Sequence, residues 1–199
     1  MNLLGVVHGG WVSDRRARVL SERLAALIPP NARVLDVGCG DGAIDRRIQE
    51  LRPDVKIEGI DVLVRPNTAI PVLPFDGATI PRGDKSFDAV LFVDALHHTS
   101  GPTVLLREAA RVARCVVILK DHILEGLFAQ ETLRFMDWIG NARHGVALPN
   151  LYWPRTRWDA AFRTLGLRVQ TWETSLNLYP LPVTWLFDRS LHFIASVIP

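Results

Sequence analysis

"VLDVGCGDGA", residues 34–43, decides the fold. Val34, Leu35 and Val37 read as a short buried strand with Asp36 set into it, and Gly38, Gly40 and Gly42 follow at alternate positions. The next residues, "AIDRRIQEL", place Ile44, Ile48 and Leu51 on one side of a helix. A strand, a glycine turn and a helix in that order open an α/β sheet, and the glycines let the backbone come close to a ligand. Gly38, Gly40 and Ala43 satisfy the dinucleotide fingerprint with its permitted alanine, and Asp61 lies 19 residues beyond Gly42. That is near the ~20-residue offset of a ribose-binding acid. Two ligands remain open at this point: a dinucleotide, or a nucleoside without phosphate.

Outward from this stretch, strand-like and helix-like segments alternate. "RARVLSERLAALIPP" puts Val19, Leu20, Leu24, Leu27 and Ile28 on one helical face before Pro29 and Pro30 stop it. "VKIEGID" is a second strand, and "NTAIPVLPF", with two prolines, predicts a short irregular one. "SFDAVLFVD" is a fourth strand, "GPTVLLREAARVA" a helix with Pro102 in its first turn, and "CVVILK" a fifth strand. A helical stretch "EGLFAQETLRFMDWI", a Gly/Asn/Pro loop and the helix "TRWDAAFRTLG" come next. The strands "LRVQTWET" and "LHFIASVI" end the chain, separated by a loop rather than a helix. This pattern predicts a Rossmann-like, doubly wound, seven-stranded α/β sheet, mostly parallel, with the last strand around Leu191–Val197 antiparallel. One domain over residues 1–199 is expected, with an N-terminal helical cap (1–30) and a helical and loop insertion on the substrate side (123–166).

Composition narrows the class. A chain of 199 residues with 48% hydrophobic and 22% charged residues reads as soluble and globular. A net charge of +2, with arginines spread along the chain, gives no basic patch for a nucleic acid. Cys39 and Cys115 fit no metal or disulfide spacing, so a reducing cytoplasm is the expected location. The apolar tail is broken by Asp188 and Arg189, so no stable membrane insertion is expected.

Three observations separate the two ligands. Asp36 lies two residues before the first glycine, where a carboxylate repels a pyrophosphate and attracts the ammonium of a methionine moiety. "FDGATIP" supplies Asp76 at a third strand end, placed to accept from an adenine amino group. No Tyr is followed four residues later by Lys, and no second substrate domain fits in the length. The expected cofactor is therefore S-adenosylmethionine, with S-adenosylhomocysteine as product. An NAD(P)-dependent oxidoreductase and a non-catalytic S-adenosylmethionine-binding protein are the alternatives.

The stretches "VLDVGCGDG", "IEGIDV", "FDGATIPRGDKSFDAVLFVDALHH" and "LLREAARVAR" resemble the class I S-adenosylmethionine-dependent methyltransferases, especially the ubiquinone/menaquinone-biosynthesis type. The likeness spans roughly residues 32–121. It implies that Asp36, Gly38, Cys39 and Gly40 line the methionine end, and that Asp61 with Val62 holds the ribose hydroxyls. It further implies that Asp76 and Gly77 address the adenine, while Val93 and Asp94 close the pocket floor, Asp94 being equally suited to capping the turn that follows.

Methyl transfer from a sulfonium needs orientation, and an O- or N-nucleophile also needs a proton removed. His97, His98 and His122, at or just past strand ends, are the candidate catalytic bases, with packing beside the cofactor as the competing role. A metal held by Asp94, Asp121 and His122 lacks tight ligand spacing, so none is expected. "DALHH" has no Asn-Pro-Pro-Tyr-like turn for gripping a flipped base. The aromatic residues after strand five, Trp138, Tyr152 and Trp153 among them, suit a small apolar or aromatic methyl acceptor. Trp158 and Phe162, at helical spacing, are expected in the core. The loop 140–154 is expected as a roof, and "HGGWVSDRR" as a closure from the other side. The oligomeric state is not legible.

Overall fold

The computed structural model describes residues 3–141, 151–181, 184–188 and 190–199. Helix α1 (Leu3–Leu27) leads into β1 (Arg33–Val37), and the glycine turn leads on into α2 (Ala43–Leu51). The other strands are β2 (Lys56–Asp61), β3 (Val72–Pro74), β4 (Phe87–Val93), β5 (Ala113–His122), β6 (Arg168–Glu173) and β7 (His192–Ile198). They form one seven-stranded sheet in the order β3-β2-β1-β4-β5-β7-β6. β1 to β5 pair in parallel, whereas β7 runs antiparallel to both β5 and β6. The predicted doubly wound sheet with an antiparallel last strand is what forms.

Alternate side chains of each strand feed the two faces of the sheet. Val34, Ala89, Leu91 and Ile118 pack under Leu20, Leu24 and Ile28 of the α1 segment and Ile48 of α2. Leu35, Val37, Val90 and Phe92 face the other way, under Leu105, Leu106 and Ala109 of α3 (Pro102–Val112) and Trp158 and Phe162 of α5 (Arg155–Thr164). Side chains of this size each stabilise the fold by about 1.5–3 kcal/mol when fully buried. Trp158 and Phe162, both 1% exposed, are core as expected.

Residues 8–16 fall within α1. Three elements differ from the sequence reading. β5 runs on to Asp121 and His122, because its ladder with β7 continues through Asp121↔Phe193 and His122↔His192. α4 (Ala129–Asn141) starts four residues later than the stretch "EGLFAQETLRFMDWI". A one-turn helix, α6 (Thr184–Phe187), interrupts the expected loop between β6 and β7. β3 is only three residues long at the sheet edge, as two prolines dictate. Most of the loop 140–154 lies outside the described residues. Among the described residues no helix is long and apolar enough to cross a membrane.

Candidate active site

β1 and β4 are neighbours whose onward connections leave to opposite sides, and a crevice opens at their carboxyl ends. The glycine turn forms its edge. Gly38 has φ +79°, and a Cβ there would sit 2.7 Å from that of Ala95 after β4; only glycine lets the two strand ends close up. Gly42, φ +73°, caps α2 and presses on Ile70, which a Cβ would meet at 2.4 Å. Gly38 N–H donates to Ile60 O at 2.8 Å, and Gly40 N–H to Asp61 Oδ2 at 2.8 Å. The other carboxylate oxygen of Asp61 accepts from Leu63 N–H at 2.9 Å. Asp61 thus ties the glycine turn to the loop after β2.

A cavity of about 880 Å³ runs from this turn across the ends of β4 and β5. Gly38, Cys39, Gly40, Asp61, Val62, Gly77, Val93 and Asp94 line it, as do His97, His98 and His122. Asp36 and Asp76 are not among its described lining residues. Asp76 Oδ1 accepts from Ala78 N–H (2.8 Å) and Thr79 N–H (2.7 Å), so this carboxylate shapes the turn that carries Gly77. Asp36 is 2% exposed beneath the glycine turn, and Asp45 in the first turn of α2 is fully buried beside it. Burial and the facing Asp45 charge push the Asp36 carboxyl well above its ordinary range, and burial pushes Asp45 up to about 7. Burial and the same carboxylates raise the Cys39 thiol, which is therefore no nucleophile at neutral pH.

The far end of the cavity is built from distant segments. Asp94, φ +53°, accepts from Arg16 of α1 and from Lys120 of β5, and Lys120 is fully buried. Burial works to raise the Asp94 carboxyl, but the Lys120 and Arg16 charges hold it well below the carboxylate range. His97 Nδ1 lies 2.6 Å from Asp121 Oδ1, its Nε2 lies 3.6 Å from Asp137 Oδ2, and Tyr152 donates its hydroxyl to Asp137. Burial opposes the imidazolium, yet Asp121 and Asp137 raise His97 to about 10, so it carries charge at neutral pH. Burial and the His97 charge lower both His98 and, much further, His122. Of the three expected bases, His98 and His122 are therefore the neutral ones.

Sequence reasoning missed Arg16, Lys120, Asp137, Tyr179 and His192. One signal was present: "KDH", residues 120–122, puts three polar residues at the end of an otherwise apolar strand. Buried strand ends keep such residues when they face one another or a ligand. Most of the aromatic set lies elsewhere. Trp153 and Trp158 are core, and Trp172 stacks on Phe193 at 4.0 Å beneath the Arg155 guanidinium. Phe75, Met136, Tyr179 and Phe187 supply the apolar lining instead.

The glycine cradle and the backbone-anchored Asp61 fit a nucleoside carrying an amino-acid tail. Comparison with known proteins bears on the family and the fold. The curated 27-O-demethylrifamycin SV methyltransferase of Amycolatopsis mediterranei is 31% identical over a region covering 54% of this chain and 47% of that protein. The chain thus spans about half the length of this relative. A chain from the complex of the Haloferax volcanii Trm112 methyltransferase activator superposes with a TM-score of 0.70 (16% identity, 96% and 95% of the two chains). An S-adenosylmethionine-dependent methyltransferase from Aquifex aeolicus does so with 0.60 (18% identity, 90% and 89%). At these identities the structures speak for the fold. Residues 11–171 match the family model described as a methyltransferase domain, and the chain belongs to that family of S-adenosylmethionine-dependent methyltransferases.

Proposed function

We propose that this chain binds S-adenosylmethionine at the glycine-turn end of the cavity and delivers its methyl group to a small apolar or aromatic acceptor at the histidine end. The observation that carries this reading is continuity: one chamber of about 880 Å³, within the usual range for ligand sites, joins the two ends. The cofactor, when bound, supplies an electrophilic sulfonium methyl. The protein's share is orientation. Gly38, Cys39 and Gly40 face the methionine end, with Asp36 acting from beneath the turn. Asp61 and Val62 hold the ribose, Phe75 and Gly77 flank the base with Asp76 fixing their turn, and Val93 and Asp94 form the floor. His98 or His122, being neutral, takes a proton from the acceptor, while His97 contributes positive charge. An oxygen nucleophile is favoured because the curated relative is named for an O-demethyl substrate. The scattered arginines support a small molecule over a nucleic acid, and the two free cysteines support a cytoplasmic setting.

Calorimetry with S-adenosylmethionine, S-adenosylhomocysteine and NAD tests the cofactor. Labelled methyl transfer to a panel of phenols and hydroxylated aromatics tests the acceptor. Saturable binding of both sulfur nucleosides but not NAD, with label in an organic-soluble product, is expected. Preference for NAD would overturn the reading. Label appearing only in nucleic acid would overturn the acceptor class.

A further inference from the structure

The histidine end holds more metal-ligating groups than a proton transfer requires. Asp121 is fixed by Leu96 N–H (3.1 Å) and His122 N–H (2.7 Å), and it takes the Nδ1 side of His97 at 2.6 Å. That contact locks the ring and aims Nε2 at Asp137, 3.6 Å away. On the other carboxylate oxygen of Asp137, His122 Nε2 stands at 3.9 Å. Both separations are too long for hydrogen bonds. They are close to the ~3.4 Å between two ligands that share a tetrahedral cation at ~2.0–2.1 Å.

One ring nitrogen from each of His97 and His98 and one oxygen of Asp137 all lie within 4.8 Å of one another. His97 Nε2 and His98 Nδ1 are both buried without a hydrogen-bond partner, a cost that a ligand for them removes. We propose that His97, His98 and Asp137 hold one divalent first-row transition cation, of the Zn²⁺ or Fe²⁺ kind, at the acceptor end of the cavity. Two imidazoles and one carboxylate suit borderline cations of that kind and not Ca²⁺ or Mg²⁺. Asp121 on the far nitrogen of His97 is the outer carboxylate that metal-bound histidines regularly use, and Tyr152 steadies Asp137 in the same way. All three ligands line the cavity, so the open coordination position faces the acceptor. A cation there displaces the proton His97 otherwise carries between its two carboxylates and supplies the positive charge in its place, and with His98 a ligand it leaves His122 as the neutral base.

The test uses the whole chain, stripped with a chelator, titrated with Co²⁺ and followed by its visible d–d absorption. Elemental analysis after dialysis against Zn²⁺ gives the stoichiometry. One equivalent per chain is expected. His98→Ala and Asp137→Asn should each weaken binding by at least about 100-fold, and Asp121→Asn by about 10–100-fold as an outer partner. His98 is the least buried of these residues, so His98→Ala carries the test if the aspartate variants fail to fold. Fractional occupancy, or equal Co²⁺ affinity in the wild type and His98→Ala, would show a purely electrostatic cluster and overturn the site. S-adenosylmethionine binding is measured separately. Cofactor binding without Co²⁺ binding removes the metal site and leaves the methyltransferase reading intact, and the converse separates them the other way.

Discussion

The two ends of the cavity manage buried charge in opposite ways. Beneath the glycine turn, Asp36 and Asp45 face one another, and the main partners near them are backbone groups and the Cys39 thiol. At the histidine end three carboxylates, Asp94, Asp121 and Asp137, are matched by Arg16, Lys120 and His97 drawn from α1, β5 and the turn after β4. The first arrangement is a like-charge pair that relaxes by keeping a proton. The second is a neutralised network that relaxes by keeping its partners. A single substitution should therefore act differently at each end, and four of them order the contrast.

The largest effect is expected for Lys120→Met. Lys120 is fully buried, bonded to Asp94 and 3.3 Å from His192 Nδ1. Removing one member of a buried ion pair leaves a charge without compensation and typically costs about 3–5 kcal/mol. Urea unfolding should show a loss at the lower end of that range, since Arg16 still reaches Asp94. A loss below about 1 kcal/mol would mean that the network is redundant, and the contrast between the two ends would collapse.

Asp61→Ala comes next and acts on binding. Its carboxylate holds Gly40 N–H and Leu63 N–H, charge-assisted bonds worth roughly 1.5–3 kcal/mol when desolvated. Affinity for S-adenosylmethionine should fall at least tenfold by calorimetry, and the melting temperature should drop as well, because both backbone bonds belong to the protein itself. Unchanged affinity would take Asp61 out of the cofactor site. Gly38→Ala should cost about 1–3 kcal/mol of stability, because its φ of +79° and the Ala95 contact at 2.7 Å both oppose a Cβ. If that variant melts like the wild type, the turn is looser than its geometry implies.

The same contrast explains what could be read from the sequence. The glycine-turn end is written in consecutive residues, so spacing alone brought Gly38, Gly40 and Asp61 to one crevice. The doubly wound sheet and the antiparallel β7 followed from the alternation of segments. The histidine end is written across residues 16 to 192, and no local pattern relates Arg16 to Asp94 or Asp137 to His97. Only "LHH" and "KDH" were visible, and they identified the place without its pairing. Packing also sets two carboxylates in surroundings that spacing does not show. Asp36 lies under the turn and not along the cavity, and Asp76 spends Oδ1 on its own turn. A sequence shows where an acid falls, but whether it meets solvent, ligand or backbone depends on packing.

The most diagnostic effect, because it vanishes at low pH, belongs to Asp45→Asn. The folded state holds the Asp45 carboxyl at about 7, above the ordinary 3.8 of an unfolded chain. Between those values the native state binds more protons than the unfolded state, so its stability falls as pH rises from about 4 to about 7. Position opposes this: Asp45 sits in the first turn of α2, where the helix dipole favours a negative charge by about 0.3–1 kcal/mol. Desolvation, aided by the Asp41 charge, outweighs that gain and the hydrogen bond from Asp36, as the direction of the shift requires. Asparagine keeps the size and polarity of the protonated acid without its charge. At pH 4 the variant should match the wild type, and at pH 8 it should be clearly the more stable of the two. Thermal melts across this range give the curve directly. If Asp45→Asn lowers stability equally at both pH values, the residue is serving the helix cap, and the glycine-turn end does not store charge in the way that sets it apart from the histidine end.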